Sequence, residues 1–327
     1  MTRNNKRLFV TLWSVAALLI ASHLQAGSRQ ASYWLEKMMK AVHETNYDGN
    51  FVYLHGDNIE SLRTVHTNIN GHEIERLFSL NGEAREIVRD NETVTRILPN
   101  DKTIATTKRL LNKQSFSGFF VLDLKRIEQN YEINLTGRGR IADRSTNIID
   151  FVPRDDLRYG FRLHVDDESA LPLQWEMFDQ QQQLVSRIMF TSISIGNNVT
   201  DSGSLLEQGD SDVIKKKSTV ITTTEQLPDT NSKWSFDKLP RGFVIKHHRQ
   251  GIPGKKARNI EHYIFSDGIS SFSVYIEQTD KVRLNGNAHL GALNAYGVFV
   301  NGHQVTAVGE VPAETLAFIS ELVISDD

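Results

Sequence analysis

The chain of 327 residues contains no cysteine. That excludes structural disulfides, cysteine metal sites and a thiol nucleophile, and leaves an oxidising compartment open. Long apolar runs are missing too: Leu8 to Ala21 is too short to cross a bilayer as a helix. No GxSxG elbow, HExxH pair, P-loop or GxGxxG turn after a strand is present, so the common signatures of hydrolases, zinc proteases and nucleotide-binding enzymes are lacking. The 11 histidines are scattered. His247 and His248 would point to opposite faces of a strand, a poor geometry for a joint metal site. Excess positive charge is also absent. The formal net charge is −3, and losing Arg3, Lys6 and Arg7 would make it −6, which disfavours non-specific binding to nucleic acid.

What is present begins with a basic leader, MTRNNKR, followed by that short apolar run and by Ser22-His23-Leu24-Gln25-Ala26. This is the layout of a signal peptide over 1–26, cleaved after Ala26, and it makes the chain an exported protein. Ser32 then predicts the cap of a helix from Tyr33 to about Thr45, with Trp34, Leu35, Met38, Met39 and Val42 on one face.

From Asp48 the period changes to that of strands. NFVYLH, ESLRTVHT, HEIERLFSL, AREIVR and TVTRILP follow closely, with Asn70-Gly71 and Asn81-Gly82 as turns. Gln114 to Asn130 interrupts this meander as a short helix and crossing loop rich in phenylalanine. Strands resume at YEINLTGRGRIAD and TNIIDFVP and end near Ile195. A helix on a large curved antiparallel sheet is the simplest architecture. Residues 197–233 are polar and Ser/Thr-rich, contain Lys215-Lys216-Lys217, and read as a linker. A smaller unit, 234–327, has strands first and a helix last. Asn301-Gly302 marks its clearest hairpin, and Pro312 opens a helix with Leu316, Ile319, Leu322 and Val323 on its apolar face.

One hairpin poses the functional question. In RYGFRLHVDDESALPLQWEMFD, Tyr159, Phe161, Leu163 and Val165 alternate with Arg158, Gly160, Arg162 and His164. Leu173, Trp175 and Met177 then oppose Gln174 and Glu176. One sheet face is thus rich in large apolar side chains. It packs against protein or receives a ligand. The acids Asp166-Asp167-Glu168 between the strands lack the alternating spacing of a calcium loop and suit a turn. In GRGRIADR, Arg138 and Arg140 share a strand face and Arg144 is close by. They form either an ordinary charged face or a site for an anionic head group or an acidic partner segment.

Ordered pieces across both units carry a resemblance: Glu60-Ser61-Leu62-Arg63, the run Gly137 to Arg144, Leu171-Pro172-Leu173, Leu239-Pro240-Arg241-Gly242-Phe243, Phe265-Ser266-Asp267-Gly268, Phe272-Ser273-Val274 and Val308-Gly309-Glu310-Val311-Pro312. The chain resembles the RseB/MucB family of periplasmic sigma-E regulators. The resemblance implies an α+β, mostly β protein. Residues 27–196 would be an unclosed antiparallel β-barrel like LolA and LolB with covering helices, and 234–327 a small α+β domain. It implies no enzyme activity and no cofactor. The implied partner is the periplasmic domain of a membrane-spanning anti-sigma factor, RseA/MucA-like, shielded from proteolysis and released by lipopolysaccharide or another acylated ligand. Self-association as a homo-oligomer is a further expectation; a lipid or lipoprotein carrier is the alternative. The ligand lining would be Tyr159, Phe161, Leu163, Val165, Leu173, Trp175 and Met177. Tyr263, Phe272 and Tyr275 are candidates for partner contact. Of these, Phe272 lies on the face expected to form core and Tyr275 on the other.

Overall fold

The computed structural model describes residues 27–90, 93–98, 103–108, 116–120, 122–199, 218–221, 232–251 and 260–325. The expected signal peptide, Lys215–Lys217 and most of the 197–233 segment lie outside the described residues.

The first helix, α1, spans 27–44, so Ser32 lies within it rather than at its cap. Its hydroxyl donates to the Ser28 carbonyl, 3.2 Å away, a bond that satisfies it inside a helix. Strands β1 (Tyr47–His55), β2 (Asn58–Ile69), β3 (His72–Ser79), β4 (Glu86–Asp90), β5 (Thr93–Leu98) and β6 (Thr103–Lys108) form the first meander. A single 3-10 turn, Ser117–Phe120, and α2 (Leu124–Asn130) follow. The second meander is β7 (Tyr131–Ile141), β8 (Arg144–Pro153), β9 (Gly160–Asp166), β10 (Pro172–Phe178) and β11 (Leu184–Ile195). Pairing of β1 with β11 fuses the two meanders. The polar segment contributes β12 (Ser218–Ile221), which pairs in parallel with β6, a strand not expected there. Among the described residues this sheet has 12 strands and ends at β12 and β7, so it is unclosed.

The apolar face of α1 lies on this sheet. Leu35, Met38 and Val42 are buried in a core with Phe51, Phe151, Phe161, Leu163 and Phe190, while Trp34 and Met39 pack at its margin. The α2 residue Ile127 joins the same core. This is the covered, unclosed sheet that the resemblance implied.

The second unit holds β13 (Trp234–Phe236), β14 (Val244–Gln250), β15 (Ile260–Ser266), β16 (Ser271–Gln278), β17 (Gly286–Leu290), β18 (Leu293–Val300), β19 (His303–Gly309), α3 (Ala313–Glu321) and β20 (Val323–Ser325). Six strands form a sheet in the order β14-β15-β16-β19-β18-β17, and β13 pairs with β20. Asn301 and Gly302 take φ of 46° and 75°, the left-handed pair that a two-residue hairpin requires. Pro312 is the cap of α3 rather than its first residue, with ψ of 144°. Leu316 and Ile319 enter the second core, but Leu322 ends the helix and Val323 belongs to β20.

Candidate functional site

The expected lining is built by β9 and β10, which pair with Leu163 opposite Trp175 and Phe161 opposite Met177. A register shift between Pro172 and Gln174 places Leu173 in a bulge. Phe161, Leu163, Val165, Leu173 and Met177 are buried, and Trp175 is half-buried. The opposite face is not open either: Gln174, Glu176 and His164 are buried, with Arg187 donating to Glu176 at 2.8 Å.

Protein fills most of the space over the apolar face. Phe116 and Phe120 enter from the segment between β6 and α2, their rings 5.1 Å apart. Phe120 meets Trp175 at 5.9 Å, and Phe116 meets Phe51 at 5.5 Å and Phe190 at 5.0 Å. Glu75 anchors this aromatic plug. Its carboxylate accepts from the Phe116 backbone N–H at 2.5 Å and from the Ser117 hydroxyl at 2.5 Å. Arg89 stands 3.4 Å from the same carboxylate. Beside it, Glu73 accepts from Arg89 and faces His43 and His66, each at 3.0 Å. Burial alone would raise the Glu73 carboxyl, but His43, His66 and Arg89 hold it well below the usual range.

A remaining cavity of about 50 Å³ lies between Tyr53, Phe161, Trp175, Met177, Ser186 and Ile188 on one side and Ile269, Ser270 and Glu310 on the other. It is far smaller than pockets that enclose small organic ligands, roughly 300–1,000 Å³. A cavity of this size admits no acyl chain unless the plug or the second unit moves.

The second unit closes that side, chiefly through two turns. The Asp267–Ser270 turn inserts Ile269 against the first core, and Ala292 from the β17–β18 turn is buried in it. Arg158 holds the Asp267 turn. Its Nη1 donates to Asp267 Oδ2 at 2.7 Å, its Nη2 donates to the Arg241 carbonyl, and Asp155 is paired at 2.8 and 3.0 Å. Its guanidinium also lies 5.1 Å from the Phe243 ring and 5.7 Å from that of Tyr131. Asp267 accepts further from the backbone N–H groups of Ile269 and Ser270, at 3.1 and 2.8 Å. Burial pushes its carboxyl up, against the pull of Arg158 and these donors. Tyr53 donates to Glu310 at 2.9 Å, and Thr315 donates to the Leu157 carbonyl at 2.6 Å.

Two residues of the hairpin lie outside the expected strand. Arg158, read as part of the alternation, precedes β9 and is buried. Its two acids and a carbonyl make that burial possible. Tyr159, expected in the lining, also precedes β9 and accepts from Asn294 of the second unit at 2.9 Å. The stretches LPRGF, FSDG and VGEVP all reach this junction, through Arg241 and Phe243, Asp267, and Glu310.

The three arginines of β7 and β8 are brought together with acids. Arg138 pairs with Asp167 at 3.2 Å, Arg140 pairs with Asp143, and Arg144 forks onto Asp166 at 2.8 and 3.0 Å and reaches Glu168 at 2.7 Å. The Arg138 and Arg140 side chains are 70% and 71% exposed. Arg144 is a positioning residue of the β9–β10 turn. Burial would raise Asp166, but Arg144 and Ser169 hold it below its ordinary value.

The proposed partner-contact aromatics separate. Tyr263 and Phe272 are buried in the second core, so neither offers a side chain to a partner in this conformation. Their strands β15 and β16 are interior to the sheet, not edges. Tyr275 is half-buried on the other face and stacks on His262, centroids 4.3 Å apart. Sequence reasoning missed His262. Its signal was the cross-strand position opposite Tyr275, invisible without the register.

Comparison with known proteins follows the same two units. The model of the MucB/RseB N-terminal domain matches residues 30–208, and that of the MucB/RseB C-terminal domain matches 228–323. The "Sigma-E factor regulatory protein RseB" of Salmonella typhimurium is 24% identical over 319 residues, 97% of this chain and 98% of that protein. The "Sigma factor AlgU regulatory protein MucB" of Pseudomonas aeruginosa is 25% identical over 307 residues, 91% of this chain and 93% of the relative. Among solved structures, Pseudomonas aeruginosa MucA/MucB aligns with a TM-score of 0.70 at 23% identity, and MucB in complex with MucA(peri) with 0.68 at 22%. Each covers 91% of this chain and 99% of its own. These two likenesses establish the shared fold.

Proposed function

The chain belongs to the MucB/RseB family, and from that membership we propose a periplasmic, non-enzymatic negative regulator of a sigma-E-type envelope stress response. Two domains, 27–196 and 234–327, joined by the polar 197–233 segment, bind the periplasmic region of an RseA/MucA-like membrane anti-sigma factor. Binding shields that factor from regulated proteolysis. A lipid-type signal such as lipopolysaccharide releases it. The solved complexes of MucB with MucA support the partner.

One structural observation carries the sensing step: the apolar face formed by Phe161, Leu163, Val165, Leu173, Trp175 and Met177 is shut on one side by the second unit, and the cavity beside Phe161, Trp175 and Met177 holds about 50 Å³. An acyl chain that enters must move the plug or the junction. A ligand favouring an opened form lowers the affinity of a partner that favours the closed form, and the partner lowers ligand affinity by the same factor.

Calorimetry with the periplasmic segment of the host's anti-sigma factor, with and without lipopolysaccharide, tests this. Tight binding that lipopolysaccharide weakens is the expected result. The absence of binding in both conditions would overturn the regulator. The apolar face also favours a second reading, a lipid or lipoprotein carrier, which predicts stoichiometric transfer of lipoprotein between membranes.

A further inference from the structure

The second sheet has two faces, and α3 packs on the one carrying Tyr263, Phe265, Phe272 and Val274. The other face bears a row set by register: Arg249 of β14 opposite His262 of β15, and His262 opposite Tyr275 of β16. His262 is only 5% exposed. Its Nε2 lies 2.9 Å from the Ser273 hydroxyl, but its buried Nδ1 has no hydrogen-bond partner. Nor does the buried Nε of Arg249 beside it. Two buried nitrogens without partners on adjacent strands are uncommon, because each forfeits its hydration on folding.

The acids that could serve them are committed elsewhere. Glu277, two residues beyond Tyr275, takes Arg283 at 2.8 and 3.2 Å. Glu261 turns to the opposite face, where it meets His248, Tyr263 and Ser232 at 2.9, 2.7 and 2.8 Å. Arg249 therefore has no carboxylate among the described residues. His262 does not add charge: burial first, then Arg249, His247 and His248, lower it to about 4. The row offers one fixed positive charge, a neutral imidazole and an aromatic ring.

We infer that Arg249, His262 and Tyr275 form a subsite for a single carboxylate, presented by an acidic side chain of a docking peptide segment. One guanidinium matches one carboxylate charge, with the flat Tyr275–His262 stack as a platform for the segment's backbone or stem. A phosphate monoester carries nearly two charges, and among the described residues this row holds one fixed cation, Arg249. The inference deepens the regulator reading, on which it rests for the peptide's identity.

The test is NMR of the histidine ring signals of the full mature chain during titration with a short blocked glutamate peptide. Its glutamine counterpart, inorganic phosphate and the Arg249→Gln variant complete the set. The expected result is a saturating shift of His262 with the glutamate peptide, about tenfold weaker binding to Arg249→Gln, and no saturable shift with the glutamine peptide or phosphate. Arg249→Gln keeps the wild-type melting temperature, since no hydrogen-bond or ion-pair partner among the described residues is lost. Equal binding of the two peptides, equal binding by Arg249→Gln, or a response to phosphate alone would each overturn the subsite. The anti-sigma segment is then run on the same proteins. Failure of wild type to bind it overturns the regulator reading, while the glutamate titration still judges the subsite. Unchanged affinity in Arg249→Gln removes the subsite and leaves the regulator.

Discussion

Arg158 Nη1 lies 2.7 Å from Asp267 Oδ2, both side chains are 0% exposed, and the two residues belong to different structural units. A charge pair withdrawn from water is costly to break from one side, because the remaining partner stays buried without its counter-charge.

Arg158→Leu should therefore destabilise the junction by about 3–5 kcal/mol. Differential scanning calorimetry should show the wild-type chain melting as one transition and the variant as two. A single unshifted transition would mean that the pair does not hold the units together.

Gly56→Ala probes the same junction away from charge. Gly56 takes φ of +56°, and an added Cβ would stand 2.7 Å from the Gly291 Cα. The atoms it meets are all Gly291 backbone, so the hairpins must part. Expected is a loss of about 1–3 kcal/mol in urea unfolding, with the second core's own melting unchanged.

Phe120→Ala should leave a void beside Trp175 and cost about 3–5 kcal/mol. Glu75→Gln keeps the side-chain shape but weakens the charge-assisted bonds to Phe116 and Ser117. If the plug competes with acyl chains, both variants bind a fluorescent fatty acid more tightly than wild type. Unchanged or weaker uptake by both would dismiss the competition.

His262 gives a pH test with a definite sign. Its pKa falls from 6.5 to about 4 on folding, through burial and then Arg249, His247 and His248. A depressed folded value contributes stability above the unfolded pKa, and that stability is lost as pH falls from 6.5 towards 4. Between about pH 7 and about pH 5 this residue should account for roughly 2 kcal/mol of lost stability. Facing groups are Arg249 and His247 of β14 and Ser273 and Tyr275 of β16; His248 points to the other face. Urea titrations at both pH values should show a smaller drop in His262→Gln; an identical drop would assign the dependence elsewhere.

Exposed ion pairs contribute little, so Arg138→Ala with Arg140→Ala should change stability by less than about 1 kcal/mol. Arg144→Ala should cost more, since Asp166 is 1% exposed and would lose its fork. If the pair also meets a lipid head group, the double variant releases the anti-sigma segment less readily with lipopolysaccharide. Equal release would leave both arginines as sheet surface.

Much of the fold was legible because strand alternation and Asn-Gly turns are local signals. The hairpin of β9 and β10 and the turn at Asn301-Gly302 were both readable that way. Arg158 was not. Its place in the alternation sets it opposite the apolar side chains, and its burial depends on Asp267, 109 positions away, and the Arg241 carbonyl as well as on nearby Asp155. The phenylalanines of the 114–130 segment were visible as apolar material. Their anchoring by Glu75 was not, because backbone donors meeting a distant carboxylate leave no periodic trace. Tyr275 was correctly placed on the face opposite Phe272, while Tyr263 was not recognised as core. His262 and Arg249 became meaningful only through strand register.

Ile269 and Ala292 belong in sequence to the second unit but pack into the core of the first. Once the junction parts, each unit exposes apolar surface that the other is shaped to cover. Because both units belong to one chain, that surface stays nearby and closure remains intramolecular. An opened molecule thus closes again by itself unless something occupies the gap. A ligand that holds it open must remain bound to do so, and its departure resets the protein without new synthesis.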